Sequence, residues 1–186
     1  PKPMTELYDK PVLEHILRLL KRCGVTEACL TLKFLPQMIR DYFGSGEAFG
    51  VRLDYRVEQE ALGTAGGVLN CADFIGDEDF LVLSGDCVCD FDLRTLMDFH
   101  REKKAEATLG LYSHKTPLEY GLVVTGEDGR IERFLEKPDW DHVLTDRINT
   151  GVYVLGPSVL ASIPKNKPYD FGRELFPKLL EENRAL

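Results

Sequence analysis

No apolar run in this chain approaches the roughly 20 residues that a membrane-spanning helix needs, and no stretch has the shape of a secretory leader. Positive charge is in short supply. Lys and Arg number 23 against 31 Asp and Glu, a net charge of −8. That disfavours bulk electrostatic binding to nucleic acid or to an anionic membrane. A small phosphorylated ligand needs only a local basic spot and stays possible. The five cysteines (Cys23, Cys29, Cys71, Cys87, Cys89) are odd in number and contain no C-x-x-C pair. Three of them fall in apolar or helical segments, which suits reduced thiols and a cytoplasmic location better than a disulfide framework or a zinc site. The histidines (His15, His100, His114, His142) lack H-x-x-x-H spacing, and no G-x-S-x-G elbow occurs. No internal repeat, low-complexity tract or linker interrupts the chain. With 186 residues, 44% hydrophobic and 29% charged, a single globular domain over 1–186 is expected.

Strands and helices alternate in the first part. Val12, Leu13, Ile16, Leu17, Leu20 and Cys23 recur at helical spacing after Pro11 and stop at Gly24. Residues 27–32 read as a strand, 36–43 as a short helix, 51–58 as a strand and 62–70 as a glycine-rich helix start. The run Phe80-Leu81-Val82-Leu83 has the unbroken apolar texture of a strand buried on both faces. A helix over 93–104 and a strand over 107–112 follow. Such alternation predicts an α/β fold, Rossmann-like, with a mixed and mostly parallel sheet under helices on both faces. Beyond residue 112 come a hairpin turning at Asp128-Gly129, a strand over 149–155, and helices over 157–163 and 170–183, the last capped by Asp170. This half predicts a small β-rich lobe laid over the first.

Three sets of residues could carry chemistry. Gly85 allows a tight turn at the end of the apolar strand, and Asp86 then stands in the crevice where open α/β sheets bind ligands. A carboxylate there suits Mg²⁺; a turn aspartate capping the next helix is the plainer reading. Leu62-Gly63-Thr64-Ala65-Gly66-Gly67 follows a strand, and its small residues would let backbone N–H groups approach an anion. It is neither a P-loop nor a complete G-x-G-x-x-G. Glu58, beside this turn, can accept two parallel hydrogen bonds, as guanine's N1–H and N2–H₂ would offer. Tyr120-Gly121, Glu136-Lys137-Pro138 and Asn149-Thr150-Gly151 put polar groups at strand ends, as a sugar phosphate requires. Singly, each of these also fits a turn or a solvated surface. Trp140 reads as a loop cover, and Asp77-Glu78-Asp79 as a solvated loop.

As an ordered set the pieces are far more specific. Pro1-Lys2-Pro3-Met4, Lys10-Pro11-Val12-Leu13-Glu14, Leu62-Gly63-Thr64-Ala65-Gly66, Ser84-Gly85-Asp86, Tyr120-Gly121, Phe134-Leu135-Glu136-Lys137-Pro138 and Asn149-Thr150-Gly151-Val152-Tyr153 stand in that order over nearly the whole chain. It resembles the sugar-1-phosphate nucleotidyltransferases, and within them most of all the mannose-1-phosphate guanylyltransferase branch. The resemblance implies transfer of a nucleotidyl group from an NTP, GTP by the Glu58 argument, to a sugar 1-phosphate. The implied cofactor is Mg²⁺. Implied catalytic groups are Lys2 on the triphosphate, Asp86 on the metal and Lys137 on the sugar phosphate. Glu58, Gly63, Thr64 and Gly85 are implied on the nucleotide, and Tyr120, Gly121, Glu136, Asn149 and Thr150 on the sugar. The partners expected are these small molecules and a second copy of the chain in a homodimer, with no nucleic acid and no membrane.

The same resemblance implies a glycine-rich loop, L-A-G-G-x-G-T-R-L, just before Pro1 and a second metal aspartate just after Leu186. Without them the 186 residues alone are expected to be inactive, with a sheet edge or cleft left open. Two alternatives remain: a glucose-1-phosphate uridylyl-, thymidylyl- or adenylyltransferase, and a non-catalytic regulatory subunit that binds a nucleotide sugar.

Overall fold

The computed structural model describes residues 1–139, 141 and 143–186; Trp140 and His142 lie outside the described residues. Helix α1 (Val12–Arg22) follows a two-residue ladder between β1 (Glu6–Leu7) and β2 (Lys10–Pro11). Next come β3 (Glu27–Leu32), α2 (Pro36–Phe43), β4 (Arg52–Val57), α3 (Gly63–Leu69), α4 (Ala72–Ile75) and β5 (Phe80–Leu83). The second part runs α5 (Leu93–Lys103), β6 (Ala107–Ser113), β7 (Gly121–Thr125), β8 (Ile131–Glu136), β9 (Arg147–Leu155) and α6 (Phe176–Glu181). The segment expected to be one helix from Asp170 is instead a wide π-helical turn, Phe171–Leu175, running into α6. Asp170 does cap it, accepting from the Gly172 and Arg173 amides.

The mixed α/β expectation holds, and the strand pairing adds a feature that alternation could not reveal. The sheet is not mostly parallel as expected: among the described strands only β3 and β4 pair in parallel, the other pairs being antiparallel. β9 inserts antiparallel to β5, β6 and β7, so those three share one direction without pairing with one another. The β3–β4 pair and the five-stranded sheet share no ladder among the described strands.

β9 passes through both apolar clusters. Val152 packs with Leu13, Leu17, Ile39 and Leu93 on the α1, α2 and α5 side. Tyr153 and Leu155 pack with Phe171, Phe176 and Leu179 on the other. Side chains alternate along a strand, so one strand serves both cores. Each fully buried Leu or Phe contributes about 1.5–3 kcal/mol, which makes this strand the mechanical axis of the fold. The one buried carboxylate of α1, Glu14, accepts from Arg18 and Tyr42 and so leaves no unpaired charge.

Candidate active site

The site forms where β9 changes partner. Its Arg147–Asn149 end lies beside β7, and its Val152–Leu155 end beside β5. Between them β9 bulges: Leu109 faces Tyr153 but Leu111 faces Asn149. Gly151 sits in the bulge at φ 76°, with a Cβ there only 3.2 Å from Ser84 Cβ. Glycine is required by both backbone and space. The bulge lies beside the carboxyl end of β5, whose Leu83 pairs with Val152.

Ser84 anchors that end by donating its N–H to the Gly151 carbonyl at 3.0 Å. Its hydroxyl donates to Asp86 Oδ1 at 2.7 Å. Lys2 Nζ lies 3.6 Å from Asp86 Oδ2, the side chains being 85% and 39% exposed. Pro3 packs over Gly85. Two residues singled out separately in the sequence, 84 positions apart, are therefore brought together facing solvent. An exposed pair of this kind stabilises little, but a cation and a hard carboxylate at a strand end can meet a phosphate and its counter-ion. Among the described residues no group of three or more His, Cys, Asp or Glu could cage a metal. A single half-exposed carboxylate nonetheless fits Mg²⁺, which commonly keeps its waters and binds through one or two carboxylates plus substrate phosphates.

The second group lies across β9, β7 and β8. Gly121 pairs with Glu136, and the Leu122–Ile148 pair places Asn149 next to Gly121. The three form one row. Glu136 folds over Gly121, its Oε2 3.0 Å from where a Cβ would stand, and the same oxygen lies 3.3 Å from the Cβ position of Gly172. Arg173 Nε is 3.6 Å from Glu136 Oε1. Asn149 accepts from the Gly151 amide and contacts the Tyr153 hydroxyl, whose pKa burial pushes up to about 12. Tyr120 is half-exposed, with its ring 5.1 Å from that of His114. Lys137 takes a left-handed backbone at φ 45° and donates its N–H to the Tyr120 carbonyl. A lysine in that conformation is uncommon and fixes where the chain leaves β8. Thr150 does not join the row. Its hydroxyl donates to the Gly110 carbonyl at 2.6 Å, because neighbouring strand residues point to opposite faces.

The third group is the glycine turn, where one expectation needs correction. The Ala65 and Gly66 amides are not free for an anion; both donate to the Tyr169 carbonyl, at 3.0 and 3.1 Å. The glycines make room for that strap: a Cβ on Gly63 would meet Tyr169 O at 2.6 Å, and one on Gly66 would meet Lys167 O at 3.1 Å. A Cβ on Gly67 would stand 2.5 Å from Glu58 Oε1. Glu58 lies folded against α3 and accepts from the Leu62 amide at 3.3 Å. Thr64 donates its hydroxyl to Asp170 Oδ2 at 2.8 Å and accepts from the Phe171 amide at 3.0 Å. The strap then continues to Gly172 and Arg173, over Glu136. Asp170 was read from the sequence only as a cap, and Arg173 was missed. One signal was available: Asp170-Phe171-Gly172-Arg173 offers a cap, a small residue and a cation in the first turn of a helix.

The chain is 39% identical over 97% of its length to a UTP–glucose-1-phosphate uridylyltransferase of Synechocystis, covering 50% of that protein. It is 36% identical over 98% of its length to a mannose-1-phosphate guanylyltransferase of Mycobacterium tuberculosis, again covering 50%. The chain thus spans about half the length of the curated relatives it matches. Its fold superposes on HddC from Yersinia pseudotuberculosis, solved in complex with GMP-PN, with a TM-score of 0.82 and 25% identity, covering 96% of this chain and 76% of that one. The nucleotidyl transferase family model matches residues 1–186, and the chain belongs to that family.

Proposed function

We propose that the protein transfers a nucleotidyl group from GTP to mannose 1-phosphate, giving a nucleotide sugar and pyrophosphate. The observation that carries this reading is the opposition of two groups across the β9 bulge. Lys2 and Asp86 stand on one side, and the row of Asn149, Gly121 and Glu136 on the other. A sugar phosphate oxygen forms a bond to the α-phosphorus, and the bond from that phosphorus to the bridging oxygen breaks, releasing pyrophosphate. Such a reaction needs alignment and charge neutralisation rather than a protein nucleophile. Asp86 would hold a Mg²⁺, which would neutralise charge on the phosphates. Lys2 steadies the triphosphate. Glu136 and Asn149 accept and donate to sugar hydroxyls, with Arg173 holding the Glu136 carboxylate in place. Lys137 meets the sugar phosphate. Thr64 acts through Asp170 as a positioning residue.

Glu58 supports guanine. Its carboxylate has about four lone-pair directions, and the Leu62 amide uses one. Uridylyl transfer to glucose 1-phosphate is the second reading, favoured by the name of the Synechocystis relative. Pyrophosphate release by the full-length protein, with four NTPs against mannose and glucose 1-phosphates, separates them. GTP with mannose 1-phosphate is expected to give the highest kcat/KM. UTP with glucose 1-phosphate ahead by tenfold would establish the second reading. No release with any pair, but binding of a nucleotide sugar, would indicate a regulatory subunit.

A further inference from the structure

We propose that Cys29 and Cys71 are a peroxide-sensitive dithiol that closes to a disulfide and so displaces the Glu58–Gly67 turn. Cys29 lies on β3 and Cys71 at the junction of α3 and α4, 42 positions away, yet their sulfurs are 3.2 Å apart. Cys71 is buried at 5% exposure, whereas Cys29 is only partly buried. The Cys71 thiol donates to Cys29. Cys29 is held below the usual thiol range, first by that bond and then, against burial, by the charge of Arg56. Arg56 is itself fixed by Asp73 at 2.9 Å. Cys71 is pushed up by the same bond and by burial. The more open, more acidic sulfur is thus the attacking one, and the buried one stands ready to resolve it.

The Cys29 thiolate attacks one oxygen of a peroxide. The O–O bond breaks, hydroxide leaves and takes up a proton as water, and a sulfenic acid remains. Cys71 sulfur then attacks Cys29 sulfur, the S–O bond breaks, and a second water leaves carrying the Cys71 proton. Two thiols lose two electrons, and one peroxide gains them.

Closing the pair to about 2.05 Å draws the α3–α4 junction roughly 1 Å towards β3. Gly67 and Glu58 lie close across that junction: a Cβ on Gly67 would stand 2.5 Å from Glu58 Oε1 and 3.6 Å from Thr31 Oγ1 of β3. A shift of α3 onto β3 therefore pushes Glu58 aside. The effect on nucleotide rests on the role given to Glu58 above; the disulfide itself does not.

The test uses the reduced full-length protein treated with hydrogen peroxide. A peptide map should show Cys29 joined to Cys71, reversed by dithiothreitol, with Cys23, Cys87 and Cys89 still alkylatable. GTP affinity of the oxidised form should fall about fivefold or more and recover on reduction. In Cys71→Ser, dimedone should trap a sulfenic acid on Cys29 while GTP affinity is retained. No linked peptide, or a link between other cysteines, overturns the proposal. A linked peptide with unchanged GTP affinity, or peroxide weakening GTP binding equally in Cys71→Ser, overturns the switch. If the reduced protein binds no GTP, the proposed function fails and the nucleotide effect with it, while the peptide map still decides the thiol pair.

Discussion

Removing the Thr64 hydroxyl should loosen the strap that joins the glycine turn to the Glu136 side of the site. Thr64→Val keeps the shape and deletes two hydrogen bonds, to Asp170 Oδ2 at 2.8 Å and from the Phe171 amide at 3.0 Å. Thr64 is exposed, so its bond to the carboxylate sits at the low end, about 0.5–1 kcal/mol. The Phe171 amide is part-buried and loses its partner, at a cost of about 1 kcal/mol. The expected loss is about 1.5–2 kcal/mol, or a melting point about 3–8 °C lower for a domain of this size. Thr64→Ser should recover most of it. A double-mutant cycle in urea with Asp170→Asn should give a coupling of about 1 kcal/mol. In kinetics, KM should rise for both substrates, since Asp170 also orders the Gly172 and Arg173 amides over Glu136. A loss below about 0.5 kcal/mol, or a KM effect confined to one substrate, would refute the idea that this contact joins the two sides.

Three further outcomes are expected. Glu58→Gln should lower the GTP-to-UTP ratio of kcat/KM by about tenfold or more, since an amide presents one acceptor where the carboxylate presents two; an unchanged ratio removes the argument for guanine. Gly63→Ala should destabilise by at least about 2 kcal/mol in chemical denaturation, because φ is 72° and the new methyl meets Tyr169 O at 2.6 Å. The Arg184 guanidinium holds Glu106 down to about 2 from its ordinary 4.5, so the pair's stabilisation is complete above about pH 5 and is lost as pH falls towards 2. Partial exposure trims it to about 1–2 kcal/mol, and Arg184→Met should flatten the acid side of a stability-versus-pH curve while leaving a parallel curve if the pair is inert.

What local pattern controls was readable in the sequence. Helix α1, the strands β3 and β5 and the Asp170 cap follow from spacing and side-chain chemistry within a few residues. Lys2, Asp86, Gly121 and Glu136 could be singled out one by one through the ordered motifs, but that Lys2 lies beside Asp86 and Gly121 beside Glu136 is visible only in the structure. What escaped was non-local. The antiparallel insertion of β9 depends on pairing between strands separated by tens of residues. The occupation of the Ala65 and Gly66 amides by Tyr169, about a hundred positions on, leaves no mark in either segment. Thr150 looked equivalent to Asn149 because its bond to the Gly110 carbonyl depends on the pairing of β9 with β6, far off in sequence. Cys29 and Cys71 had no spacing to betray them, since a helix junction and a strand bring them together.

Asp86 is the centre of the proposed chemistry, and its replacement is the most direct measurement. Phosphorus NMR of the full-length protein with Mg²⁺, GTP and mannose 1-phosphate should show a nucleotide sugar and pyrophosphate appearing together. Asp86→Asn keeps the acceptor for the Ser84 hydroxyl and should leave the melting point within about 2 °C, yet slow product formation by about 100-fold or more. Equal rates for Asp86→Asn and the unaltered protein would contradict the role given to the carboxyl end of β5 and, with it, the proposed site.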